Sequence, residues 1–224
     1  MSVKNWDKTL RPREKAMEHG FFCLSDAELL AIILRTGTKE YSSVELADNI
    51  LKQCGGLKGV FSLSMKQIME FNGVGLAKAT ELMASIELVK RISYQNALNT
   101  DAIKEPLALI NWLQQSIGRQ DQEYFILIFL DVKNRVIGYR ELYKGTTDAV
   151  DLCIRDVYRE ALNNGANKII AAHNHPSQSV TPSIADSTST RLLLEAGKLM
   201  NIPLVDHIII SYKDYYSYRE KGLL

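Results

Sequence analysis

The chain has 224 residues, 46% hydrophobic and 24% charged, which suits one large soluble domain or two small ones. Its net charge is +1, and the split at residue 100 gives 13 − 11 = +2 before and 14 − 15 = −1 after, so no overall field attracts a polyanion. Three scattered cysteines, Cys23, Cys54 and Cys153, exclude a disulfide framework and a thiolate zinc site. The polar start "MSVKNWDKTLRPREK" lacks a signal-peptide core and no apolar run approaches about 18 residues. A cytoplasmic protein without a membrane partner is expected.

The first hundred residues read as helices. "SDAELLAIILRTG" opens with a capping-box pattern, Ser25 and Glu28, continues through Leu29, Leu30, Ile32 and Ile33, and is predicted to stop at Gly37. "SSVELADNILKQCGG" carries Val44, Leu46, Ala47, Ile50 and Leu51 on one stripe and ends on Gly55-Gly56. "SMKQIMEFNGVGLAKATELMASIELVKRIS" predicts a helix, a glycine-bounded turn and a longer helix. The turn resembles a helix-hairpin-helix, in which Gly73 and Gly75 permit the bend. Amides at the following helix start, with Lys78 beside them, would hold a DNA phosphate without reading sequence. Many such hairpins only pack two helices, and the modest basic edge that Lys66, Lys78, Lys90 and Arg91 could make is diluted by Glu70, Glu81 and Glu87.

Composition shifts after residue 92. The polar stretch 93–105 reads as a linker, which divides the chain into a helical domain, 1–92, and a second domain, 106–224. There "EYFILIFLDV" and "VIGYRELY", joined by the turn "KNR", predict an antiparallel hairpin. "RDVYREALNNGA" reads as a helix ending at Gly165, "KIIAAH" as a buried strand, "SIADSTSTRLLLEAGKLMN" as a helix and "IPLVDHIIIS" as a further strand. Strands and helices alternating around one sheet make this part α/β and the whole chain α+β.

The loop "AAHNHPSQSVTPSIAD" carries the chemistry. His173 and His175, two apart at a strand end, point to one side if the extended geometry continues. Pro182-Ser183 looks like a helix start, which places Asp186 in the first turn. Two imidazoles and a carboxylate would supply three ligands to zinc and leave the fourth position to water. A lone H-x-H more often bonds backbone groups; the joint spacing of histidines, serine and aspartate is what favours a metal.

That spacing, H-x-H-P-x(6)-S-x(2)-D, resembles the JAMM/MPN+ motif of zinc isopeptidases, and "HNHPSQSVTPSIAD" is similar to the bacterial RadC family. "RPREKAMEHG", "LSDAELLAIILRTGT", "FNGVGLAKA", "EAGKLMNIPLVDHIIIS" and "YSYREKGLL" extend the resemblance through both halves. It implies zinc on His173, His175 and Asp186, and a mixed, cytidine-deaminase-like sheet flanked by helices. The chain departs from the family in having Gln178 and Val180 where glycine and proline are usual, and Cys153-Ile154 in place of a His-Pro pair.

A zinc hydrolase also needs a base. The resemblance assigns it to a glutamate on an upstream strand, here Glu123, with Glu141 as the alternative, and it gives the Ser183 hydroxyl an oxyanion role. Asn174 and Ser177 line the same loop and are candidates to support the ligands, and His207 is expected to pack at a strand start, with a role near the metal as the lesser alternative. Three functions follow. One is a zinc hydrolase cleaving a peptide or isopeptide bond. The second is a DNA-associated repair protein using the hairpin. The third is a zinc-stabilised scaffold without turnover.

Overall fold

The computed structural model describes residues 3, 6–98, 100–145 and 152–224. The chain forms two compact units, Met1–Val89 and Lys90–Leu224. Residues 1, 2, 4 and 5 of the polar start and residue 99 of the expected linker lie outside the described residues.

The first unit contains helices α1 (Pro12–His19), α2 (Asp26–Leu34), α3 (Ser43–Cys54), α4 (Leu57–Val60), α5 (Met65–Met69) and the first part of α6 (Leu76–Leu98). Local chemistry sets several starts. Ser25 with Glu28, Ser42 with Glu45 and Ser64 with Gln67 each close a reciprocal capping box. Leu30, Leu34, Leu46, Ile50, Ile68 and Leu82 form the core beneath them. Helix α2 ends before Gly37, at Arg35 with φ 65°. Gly37 serves a close approach instead: a Cβ there would lie 2.0 Å from the Tyr41 carbonyl oxygen.

The second unit holds a five-stranded mixed sheet in the order β2-β1-β3-β4-β5. Its strands are β1 (Glu123–Leu130), β2 (Val136–Gly145), β3 (Lys168–Asn174), β4 (Leu204–Ile210) and β5 (Tyr215–Ser217). β1 pairs antiparallel with β2 and β3, β3 runs parallel to β4, and β5 closes antiparallel on β4. Alternation along β1 feeds two cores. Ile126, Ile128 and Leu130 meet Leu109 and Leu113 of α7 (Pro106–Ile117), a helix the sequence reading left unassigned. Phe125, Leu127 and Phe129 meet α8 (Ile154–Asn163) and Leu193 of α9 (Ile184–Met200). Both faces of the central strands are therefore covered, as their continuous apolar sequence requires.

The expected linker at 93–105 is corrected. α6 continues to Leu98, Ala97 is fully buried, and the Tyr94 ring lies 5.1 Å from Trp112. Asp101 then forms an isolated bridge with Arg135 and accepts from the amides of Ile103 and Lys104. Polar composition here marks a helix with one buried edge and a capped turn, not a spacer. Among the described residues no helix is long and apolar enough to cross a membrane.

Candidate metal centre

His173 is the penultimate residue of β3 and His175 follows the strand end. Their Nε2 atoms lie 3.0 Å apart, so the extended backbone does put both on one side. Asp186 arrives from α9. Ser183 is the N-cap of that helix: its Oγ accepts from the Asp186 amide at 3.1 Å, and its own amide donates to Asp186 Oδ2 at 2.6 Å. The capping box thus fixes the carboxylate as well as the helix start. Oδ1 stands 3.1 Å from His173 Nε2 and Oδ2 stands 3.4 Å from His175 Nε2. One donor atom from each of the three residues lies within 4.8 Å of the others, a group that could hold a metal ion.

The electrostatics agree. Burial opposes the charged form of Asp186. Hydrogen bonds from His173 and His175, the His173 charge and the Ser183 contact outweigh it and hold the carboxyl far below the usual carboxylate range. The bond to Asp186 raises His175 above the usual histidine value against the cost of burial. His175 Nδ1 also sits 2.8 Å from the Ser179 carbonyl oxygen. A carbonyl can only accept, so Nδ1 carries a proton, and Nε2 is the nitrogen turned toward Asp186 and His173.

These groups line a cleft of about 340 Å³ that also presents Glu123, Phe125, Leu152 and Ser183. Glu123 opens β1, opposite Gly145, on the face that carries Phe125. Glu141 is exposed on β2 opposite Ile126 and does not line the cleft.

Other residues fall differently from expectation. Asn174 is fully buried and turns to the start of β1, where its Oδ1 accepts from the Tyr124 amide at 2.8 Å. Its Nδ2 donates to the carbonyls of Gln120 and Gln122. An Asn174→Ala substitution leaves those backbone groups without a partner and should cost about 3 kcal/mol, read as a lower urea midpoint; an unchanged midpoint would refute the account. Ser177 accepts from the Ser179 amide within the loop at 3.4 Å. Gln178, where the resembled family carries glycine, adopts φ 65°, and its Oε1 accepts from the Tyr212 amide. The left-handed conformation costs about 1 kcal/mol, which the tether offsets.

His207 does more than pack at a strand start. It is buried, with Nε2 3.0 Å from His173 Nδ1 and Nδ1 2.6 Å from Thr190 Oγ1. Burial pushes its pKa well below the ordinary histidine value, so it is neutral. The missed signal is a register shift. Ile169 pairs with Leu204 but Ile170 pairs with Asp206, so Val205 is an extra residue in β4. Leu204 packs with α8 and α9 while Ile208 faces α7, and the bulge between them brings His207 onto the site face.

In the first unit, Lys78 Nζ donates to the carbonyls of Gly73 at 2.8 Å and Gly37 at 3.1 Å, and burial lowers its pKa. Its ammonium ties two loops together and is engaged within the unit. Gly73 has φ 86° and a Cβ there would meet Thr38 Cγ2 at 2.0 Å, whereas Gly75 faces open space. The two glycines between α5 and α6 thus divide between one required by packing and one that is not.

Comparison with known proteins agrees with this architecture. Residues 103–223 match the family model described as RadC-like JAB domain, and residues 3–80 match UPF0758 N-terminal. A UPF0758 protein of Janthinobacterium sp. (strain Marseille) is 39% identical over 224 residues, covering all of both chains. Another, from Clostridium perfringens (strain 13 / Type A), is 43% identical over 214 residues, 96% of this chain and 94% of its own. One from Marinobacter nauticus is 38% identical over the full length of both. With family models matched in both halves and relatives aligned end to end, the chain belongs to the UPF0758 family of proteins with a RadC-like JAB domain.

Proposed function

We propose that this protein is a zinc-dependent hydrolase of the JAMM type, acting on a peptide or isopeptide bond. The observation that carries the reading is the convergence of His173, His175 and Asp186 donor atoms within 4.8 Å in a cleft that Glu123 also lines. Two neutral imidazoles and one carboxylate suit zinc, and a three-residue set leaves a coordination position free for chemistry. The two Nε2 atoms lie 3.0 Å apart and both stand beside the Asp186 carboxylate, which is a fit for a single ion held by all three.

Bound zinc would supply Lewis acidity and make water a nucleophile near neutral pH. The protein's own groups would do the rest. Glu123 would accept the water proton and return it to the departing amine. The Ser183 hydroxyl uses an oxygen lone pair to cap α9, so its proton stays available to donate to the oxygen of the attacked carbonyl. Phe125, Leu152 and Ala185 give the cleft apolar walls that would exclude bulk water from the reacting bond.

The test is zinc per chain in protein purified without added metal, compared with His175→Ala. Close to one zinc in the wild type and close to none in the variant are expected. Absence of zinc from both, even after reconstitution, would sink the metallohydrolase reading.

A further inference from the structure

The histidines of the metal seat are supported unequally. His175 rests on a backbone carbonyl, Ser179 O, which fixes its tautomer directly. His173 has no such acceptor; its Nδ1 meets another imidazole, His207 Nε2, and either nitrogen could carry the shared proton.

The direction is set farther along. Thr190 Oγ1 lies 2.6 Å from the Asp186 carbonyl oxygen, one helical turn back, and 2.6 Å from His207 Nδ1. A carbonyl oxygen can only accept, so the threonine proton points at it. Thr190 Oγ1 must then accept from His207, which places the His207 proton on Nδ1 and leaves Nε2 as a lone pair. That lone pair accepts from His173 Nδ1–H. His173 Nε2, the nitrogen that faces Asp186 and His175, donates to the carboxylate in the metal-free protein and is the one a bound metal would take once that proton leaves. The assembly is buried: Thr190, His207 and His173 are each no more than 2% exposed. Tyr218 stacks on the His207 ring at 5.3 Å with an 11° interplanar angle.

We infer that His207 and Thr190 are positioning residues of the metal centre, forming a one-way hydrogen-bond chain from His173 to the Asp186 carbonyl that holds His173 as the Nδ1–H tautomer. The inference rests on the zinc reading above and adds to it two residues outside the ligand set. Outer groups that orient a metal-binding histidine typically tune affinity 10–100-fold.

Thr190→Val tests it, because valine keeps the shape and removes the hydroxyl. His207 then loses the acceptor that fixes its proton. It can carry the proton on Nε2 instead and force His173 to protonate the nitrogen the metal needs. Zinc affinity of the full chain, measured against a chromophoric chelator, should fall about 10–100-fold. Thr190→Ser should restore it, and far-ultraviolet circular dichroism should match the wild type in both variants. Independently of metal, long-range 15N–1H imidazole spectra of the zinc-free wild type should show a protonated His173 Nδ1. An unprotonated Nδ1, or equal zinc affinity in wild type and Thr190→Val, would overturn the relay. Wild-type protein that takes up no zinc would instead overturn the reading beneath it, and the relay with it as a support for metal.

Discussion

Glu123→Gln is expected to keep its zinc and lose about 10²–10⁴-fold of the hydrolytic rate, the usual contribution of a positioned general base. The glutamate stands at the first residue of β1 and lines the metal cleft without belonging to the three-ligand group. Glutamine preserves its size and its place beside Gly145 of β2 but cannot take a proton. Zinc content and turnover should therefore separate in this variant, whereas in His175→Ala they fall together. Glu141→Gln is the matched control: that side chain is exposed on β2 and should change neither. If Glu141→Gln removes activity and Glu123→Gln does not, the assignment of the base is wrong.

The largest expected stability effect is in the first unit, at Gly59. Helix α3 ends with Gly55 at φ 72° and Gly56 at φ 103°, and the Gly56 amide returns to the Leu51 carbonyl at 2.8 Å. This left-handed exit folds the chain back so closely that a Cβ on Gly59 would lie 1.8 Å from the Cys54 carbonyl oxygen and 2.7 Å from its carbon. Both atoms are backbone at a capped helix end and cannot swing aside as a side chain would. Gly59→Ala should destabilise the unit by about 4 kcal/mol, with roughly 4–8 °C lost from its unfolding midpoint per kcal/mol. A midpoint within a degree or two of the wild type would show that the turn relaxes. Gly55→Ala is a milder comparison, since only its positive φ resists the substitution.

What the sequence revealed was local. Ser25 with Glu28 announced α2 because a capping box needs only four consecutive residues. The β1–β2 hairpin was legible because its two runs flank a short turn, in which Asn134 takes φ 63°. The His173, His175 and Asp186 group was legible because its three members span residues 173–186 and the helix start that orients Asp186 lies inside that span. What escaped was non-local. The polar letters of 93–98 concealed a helix because burial depended on Tyr94 meeting Trp112, a partner 18 positions on. The place of His207 beside His173 was not legible because only pairing against β3 reveals Val205 as the extra residue in β4. Gly37 was read as a helix stop because the nearby Tyr41 carbonyl cannot be seen from spacing.

The same division between near and far residues bears on how the proposed seat would acquire a metal. An unfolded chain already holds His173, His175 and Asp186 within fourteen residues, so it would retain a loose grip on zinc before any sheet exists. Thr190 follows four positions after Asp186, but His207 reaches His173 only once β3 and β4 have paired. The three candidate ligands can therefore meet before folding, while His207 joins them only after it. By mass action, any zinc held by the unfolded state subtracts from the stabilisation that native binding provides. The shift of the melting temperature with zinc would accordingly understate the affinity of the finished site.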